Sequence, residues 1–130
     1  MSFGSLAKLH TECFPGKPWT ALDFSELRNS GCEITASENS FIVWRVVADE
    51  AEIITIGVRP SARRFGVASA LIAVMENGLC KEGVKKIFLE VAVDNEAAIK
   101  LYEKNGFIRV GVRPKYYDGT DGVIMEKKVY

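Results

Sequence analysis

The segment Ile53-Ile54-Thr55-Ile56-Gly57-Val58 is an apolar run rich in β-branched residues, the composition of a strand covered on both faces. A polar turn follows it. Val67, Leu71, Val74, Met75 and Gly78 then recur on one helical face, and Gly83 after Lys81 marks a helix stop. Ile87-Phe88-Leu89-Glu90-Val91 is a second buried strand. Strand, helix and strand within about 40 residues make a βαβ unit, so the two strands should lie parallel with a right-handed crossover. Few architectures accommodate that unit in a chain of 130 residues.

The remaining elements build around it. Leu6, Leu9 and Cys13 keep helical spacing until Phe14-Pro15-Gly16-Lys17-Pro18-Trp19 interrupts it. Thr20 can cap a second helix, with Asp23 in its first turn and Phe24 and Leu27 as its stripe. Strands are expected over Phe41–Val47 and Glu52–Val58, joined tightly through Ala48-Asp49-Glu50 as an antiparallel hairpin. Asn95 caps a short helix that Gly106 ends, and Phe107–Val112 and Val123–Val129 supply the last strands. The expected class is α/β, or mixed α+β with a partly parallel sheet, as one domain over residues 1–130.

Charge narrows the partners. Seventeen Lys and Arg against 17 Asp and Glu leave no net charge, so no global basic field favours a nucleic acid. Cys13, Cys32 and Cys80 are odd in number and lack metal-ligand spacing, and with a single histidine no metal is expected. They read as reduced thiols of an intracellular protein. The longest uncharged stretch in the C-terminal half, Phe65 to Met75, is 11 residues, short of the ~18 needed for a membrane span. The opening Met1-Ser2-Phe3-Gly4 lacks the basic start and apolar block of a signal peptide. A soluble cytoplasmic protein without a membrane partner is expected.

The turn between the first strand and the helix reads Arg59-Pro60-Ser61-Ala62-Arg63-Arg64-Phe65-Gly66-Val67-Ala68-Ser69. A helix N-terminus offers unpaired N–H groups and a partial positive charge to an anion. Gly66 and Ala68 let backbone amides approach oxygen atoms closely, Arg63 and Arg64 add charge, and Ser69 can donate once more. These are the parts of a pyrophosphate cradle. The same residues also fit a solvated basic turn with a glycine placed for chain geometry. No Walker loop is present, because no Gly-Lys-Ser/Thr follows, and the three glycines of a dinucleotide fingerprint are missing.

Val58-x-Pro60-x-x-Arg63-Arg64-x-Gly66-x-Ala68 resembles the acetyl-CoA-binding motif of the GCN5-related N-acetyltransferases. Asn95-Glu96-Ala97-Ala98-Ile99-x-Leu101-Tyr102-Glu103-x-x-Gly106-Phe107 resembles that family's second motif, in the right order and at about the right distance. Within the family, Phe14-Pro15, Pro18-Trp19, Ala51-Glu52-Ile53, Leu89-Glu90-Val91 and Tyr116-Tyr117 resemble the RimI-type ribosomal-protein-alanine acetyltransferases. The resemblance covers nearly the whole chain. It implies a mostly antiparallel mixed sheet with a central parallel pair, and acetyl-CoA as cosubstrate bound by Arg63, Arg64, Phe65, Gly66, Val67, Ala68, Ser69 and Asn95. Two departures stand out. Phe65 stands where the family usually has a polar or basic residue, and the usual first strand is absent, which leaves a sheet edge shorter or uncovered.

Acetyl transfer from a thioester to an amine requires a base for the amine, a donor for the carbonyl oxygen and a proton for the departing thiolate. Glu90 sits within the apolar run Ile87–Val93, where an unpaired carboxylate is costly and its pKa should rise toward operating pH. It fits equally a strand-end glutamate facing solvent, or a salt bridge to a neighbouring lysine. The RimI resemblance implies the proton acceptor, with Glu52 in reserve to order a water relay. Asn95 and Tyr102, seven apart, share a helical face. Singly, each has an ordinary reading as N-cap and core aromatic. The resemblance implies that Asn95 meets the pantetheine arm and that Tyr102 is the acid. Backbone groups of Ile56, Gly57 and Val58 should face the acetyl and pantetheine amides, Gly57 leaving room for the ligand. Trp19, Phe14, Tyr116 and Tyr117 should wall a peptide channel, unless the tyrosines are ordinary loop aromatics under the last hairpin. Asp49, Glu50 and Glu52 near its mouth should favour a cationic amine. No cysteine adjoins His10 in sequence, so a covalent route is not expected. The implied activity is acetylation of the α-amine of a ribosomal protein with an alanine-type N-terminus. Alternatives are a lysine or small-molecule amine as acceptor, or a non-catalytic module that binds acetyl-CoA and docks on a partner.

Overall fold

The computed structural model describes residues 2–117 and 119–129, without the side chains of 115–117. Four helices, α1 (Phe3–Cys13), α2 (Ala21–Asn29), α3 (Val67–Lys81) and α4 (Glu96–Lys104), accompany six strands. The strands are β1 (Glu33–Ala36), β2 (Ser40–Val47), β3 (Glu50–Val58), β4 (Lys86–Ala92), β5 (Ile108–Tyr117) and β6 (Thr120–Lys128). They form one sheet in the order β1-β2-β3-β4-β6-β5. The pair β3–β4, connected through α3, is parallel, with Glu50, Ala51 and Glu52 opposite Lys86, Ile87 and Phe88. The pairs β1–β2, β4–β6 and β5–β6 are antiparallel. The expected mixed α/β class with a central βαβ unit is what the chain adopts. Among the described residues no helix is long and apolar enough to cross a membrane.

Two compact units can be distinguished. The first comprises residues 1–45 and 54–71, the second 46–53 and 72–130. In the first, Ser2 caps α1 by accepting the Ser5 N–H at 3.1 Å. Thr20 and Asp23 form a reciprocal capping box on α2, at 3.1 and 2.7 Å. Their apolar faces meet in a core of Leu6, Leu9, Cys13, Phe24, Cys32, Phe41 and Val43. In the second unit, Gly83 takes a left-handed φ of 85° just after α3, and the Val84 N–H reaches back to the Leu79 carbonyl, as a helix stop requires. Lys127 on β6 donates to Glu76 on α3 at 2.9 Å and to the Asn105 carbonyl at the end of α4 at 2.7 Å. A cation there suits the negative end of the helix.

Three boundaries differ from expectation. β1 was not foreseen: four residues between Gly31 and Ser37 are too short for alternation to register. β3 begins at Glu50, so the hairpin link is only Ala48-Asp49, with Ala48 at a φ of 57°. The last hairpin is longer than Phe107–Val112 and Val123–Val129, because β5 continues through Pro114. Proline normally ends a strand reading, but β5 is an edge strand, where the missing N–H costs nothing on the open side.

Candidate active site

The residues expected to bind and react fall into a group in each unit. In the first, β3 ends at Val58 and leads through a 3-10 turn, Pro60–Ala62, into α3. Arg64 and Gly66 take left-handed φ values of 72° and 75°, folding the chain back so that α3 starts at Val67. The first helical bond runs from the Ala70 N–H to the Gly66 carbonyl at 3.0 Å. The N–H groups of Val67 and Ala68 therefore belong to the first turn, ahead of the first helical hydrogen bond. That donor set fits an oxyanion. Arg63 also has a structural role. Its Nε donates to the Val58 carbonyl at 2.9 Å and an NH2 group to the Cys13 carbonyl at 3.5 Å, so it braces the turn. Phe65 is 80% exposed and brings no polar group.

Gly57 also acquires a different explanation. A Cβ there would lie 2.6 Å from two ring carbons of Phe41 and 3.2 Å from Cys13 Sγ. The ring of Phe41 is a sufficient reason for the glycine, while the backbone groups of Ile56, Gly57 and Val58 lie beyond the three-pair β3–β4 ladder.

Trp19 stacks on His10, with ring centroids 4.5 Å apart and planes 15° apart, and its backbone N–H donates to His10 Nδ1 at 3.2 Å. Phe14, Phe24 and Phe41 surround the same imidazole. Burial pushes the His10 pKa down, with Asp23 opposing. Burial likewise pushes the Cys13 thiol up, with the nearby Arg63 opposing. One edge of Trp19 lines a recess of about 480 Å³ with Asp23, Glu26, Leu27, Ser30 and Ile54.

In the second unit, Glu52 and Glu90 share a sheet face: Glu52 stands opposite Phe88, and Glu90 is two residues further along β4. Ile87, Leu89 and Val91 point into the core from the other face. The Glu90 side chain is only 15% exposed, and its Oε1 lies 3.1 Å from Arg113 Nε. Of the alternatives left by the sequence, solvent-facing is excluded and the ion pair is with an arginine rather than a neighbouring lysine. Asn95 is the N-cap of α4 and accepts the Ala98 N–H at 3.3 Å through Oδ1, which leaves its amide N–H groups as donors. Tyr102, 6% exposed, packs its ring edge-to-face on Phe107 at 5.6 Å. Glu50 is held by Lys86 at 3.2 Å, and with Asp49 it sits at the start of β3, whereas the Gly66 turn follows its end. The backbone of Tyr116 and Tyr117 belongs to β5, and their side chains lie outside the described residues. Among the described residues no three His, Cys, Asp or Glu side chains gather as a metal site would require.

Arg113 was missed by sequence reasoning, as was Gly122, whose absent side chain faces Glu90. No local signal marks them, since both matter only through strand neighbours.

Comparison with known proteins shows the family. The family model described as the Acetyltransferase (GNAT) family matches residues 4–107. The ribosomal protein bS18-alanine N-acetyltransferase of Escherichia coli is 42% identical over 83 residues, covering 64% of this chain and 56% of that protein. The chain thus spans little more than half the length of that curated relative. The N-alpha-acetyltransferase RimI of Mycobacterium tuberculosis is 39% identical over 134 residues, covering 93% of this chain and 83% of its own length. The crystal structure of the E. coli ribosomal-protein-S18-alanine N-acetyltransferase superimposes with a TM-score of 0.87 at 30% identity, over 98% of this chain and 87% of that one. The chain belongs to the GNAT acetyltransferase family, as a RimI-type member.

Proposed function

We propose that this protein is an acetyl-CoA-dependent N-acetyltransferase that acetylates the α-amine of a ribosomal protein with an alanine-type N-terminus. The observation that carries the reading is Glu90: a carboxylate whose side chain is 15% exposed, in the strand that feeds the Asn95-capped helix. The similarity to two N-terminal acetyltransferases supports this choice of acceptor.

Each residue then has a task. The first-turn N–H groups of Val67 and Ala68 bind the diphosphate, with Arg64 adding charge. The Asn95 amide donates to a pantetheine carbonyl, and the backbone of Ile56, Gly57 and Val58 holds the arm and the acetyl group. Glu90 takes a proton from the α-ammonium, directly or through a water ordered by Glu52. The freed nitrogen forms a bond to the acetyl carbon, the C–S bond breaks, the Tyr102 phenol gives its proton to the thiolate, and the second proton that the nitrogen sheds on becoming an amide returns to the Tyr102 phenolate. An α-amine has a pKa near ~8 against ~10.4 for lysine, so it is easier to deprotonate by about 3 kcal/mol. The recess beside Trp19, with Asp23 and Glu26 on its lining, suits a cationic peptide segment.

Purified protein with acetyl-CoA and alanine-starting peptides should yield an α-acetylated product by mass spectrometry. Glu90→Gln and Tyr102→Phe should each slow turnover by about 10²-fold or more. An ε-acetylated lysine product would remove the acceptor assignment, and wild-type turnover by both variants would remove the mechanism.

A further inference from the structure

We propose that Arg113 is a positioning residue for the Glu90 carboxylate, and that Gly122 keeps open the gap through which the two meet. The proposal rests on the reading of Glu90 as the base. Glu90 belongs to β4 and Arg113 to β5, with β6 between them in the sheet. Adjacent strands are about 4.8 Å apart, so side chains on β4 and β5 are separated by roughly twice that distance at their roots. They join across β6 most directly where the intervening residue has no side chain on that face. Gly122 is that residue. It stands opposite Ala92 on β4 and opposite Arg113 on β5. Ala92 lies two residues beyond Glu90, so all four positions share one face.

The spacing over Gly122 is tight. A Cβ there would come within 3.1 Å of Glu90 Cγ and 3.2 Å of both Cδ and Oε2. Gly122 is not among the glycines with left-handed φ, so backbone conformation does not demand glycine there, whereas a Cβ would push the Glu90 carboxylate aside by a few tenths of an ångström. Arg113 closes the arrangement from the other side, 3.1 Å from Oε1, while remaining half exposed. Because the guanidinium is half exposed, solvent screens much of what the pair contributes to folding. Its consequence is orientation: the guanidinium sets the direction in which Glu90 presents its proton-accepting oxygen, and an error of about 1 Å in such a group can cost on the order of 10²-fold in rate.

The test is a double-mutant cycle, with steady-state transfer from acetyl-CoA to an alanine-starting peptide. Arg113→Ala should lower kcat by about 10- to 100-fold, leaving KM for acetyl-CoA and the thermal midpoint near wild type. Arg113→Lys should recover most of the loss. Gly122→Ala, which the backbone tolerates, should slow the reaction comparably with Arg113 intact. Placed in the Glu90→Gln background, neither Arg113→Ala nor Gly122→Ala should cost anything further, because both act through the carboxylate. A slow Glu90→Gln enzyme together with a wild-type rate for Arg113→Ala, or with losses that simply multiply, overturns the positioning role and leaves the base in place. A wild-type rate for Glu90→Gln itself overturns both.

Discussion

At position 57 the ring of Phe41 fills the volume that any side chain would need. A glycine in a strand next to a cofactor motif reads from sequence as room for a ligand, yet packing supplies a sufficient cause. Gly57→Ala is therefore expected to destabilise the fold by about 1–3 kcal/mol through overpacking, measured as a lower midpoint in urea. An unshifted midpoint would mean that Phe41 yields readily. Glu90, by contrast, stands out in the sequence as an acid inside an apolar strand run, and in the fold its side chain is 15% exposed beside Arg113. Its neighbours were not. Arg113 and Gly122 are ordinary residues in a polar stretch until the register places Gly122 beside both β4 and β5.

The helices α1 and α2 show how one element passes its chemistry to another. His10 on α1 is buried in an aromatic cluster, and its neutral imidazole accepts the Trp19 backbone N–H that precedes α2. Burial holds its pKa below the ordinary 6.5. The unfolded chain therefore binds the proton more readily between that lowered value and 6.5. The contribution to stability is complete above pH 6.5 and is lost as pH falls through the folded value. Urea midpoints taken from about pH 7 to about pH 5 should decline more steeply for the wild type than for His10→Asn, which keeps an acceptor without the titration. Parallel declines would assign the acid sensitivity to carboxylates instead. Helix caps were readable in advance, since Thr20 with Asp23 and Asn95 act within a few residues of chain. The strand β1 was not, because its four residues owe their conformation to pairing with β2.

For the molecule as a whole, the cosubstrate should act as a stabiliser. A ligand that binds only the folded chain adds RT ln(1 + [L]/Kd), about 2.7 kcal/mol at about a hundredfold excess over Kd. Acetyl-CoA and CoA should both raise the thermal midpoint with concentration, and adenosine, which lacks the diphosphate, much less. A midpoint indifferent to saturating CoA would count against the Gly66 turn as its seat. The kinds and order of the central elements were set by local pattern: a β-branched run, a helical stripe, a glycine stop, a capping asparagine. The spacing of the two motifs along the chain already pointed to the family. These features act over a turn or two of chain, so they survive without knowledge of the fold. Tertiary structure alone decided that β6 lies between β4 and β5, that Arg113 consequently reaches Glu90 over Gly122, and that Arg63 braces its own turn. Strand neighbours and register are selected by burial and hydrogen bonding summed over the sheet, a quantity that no short stretch of residues carries.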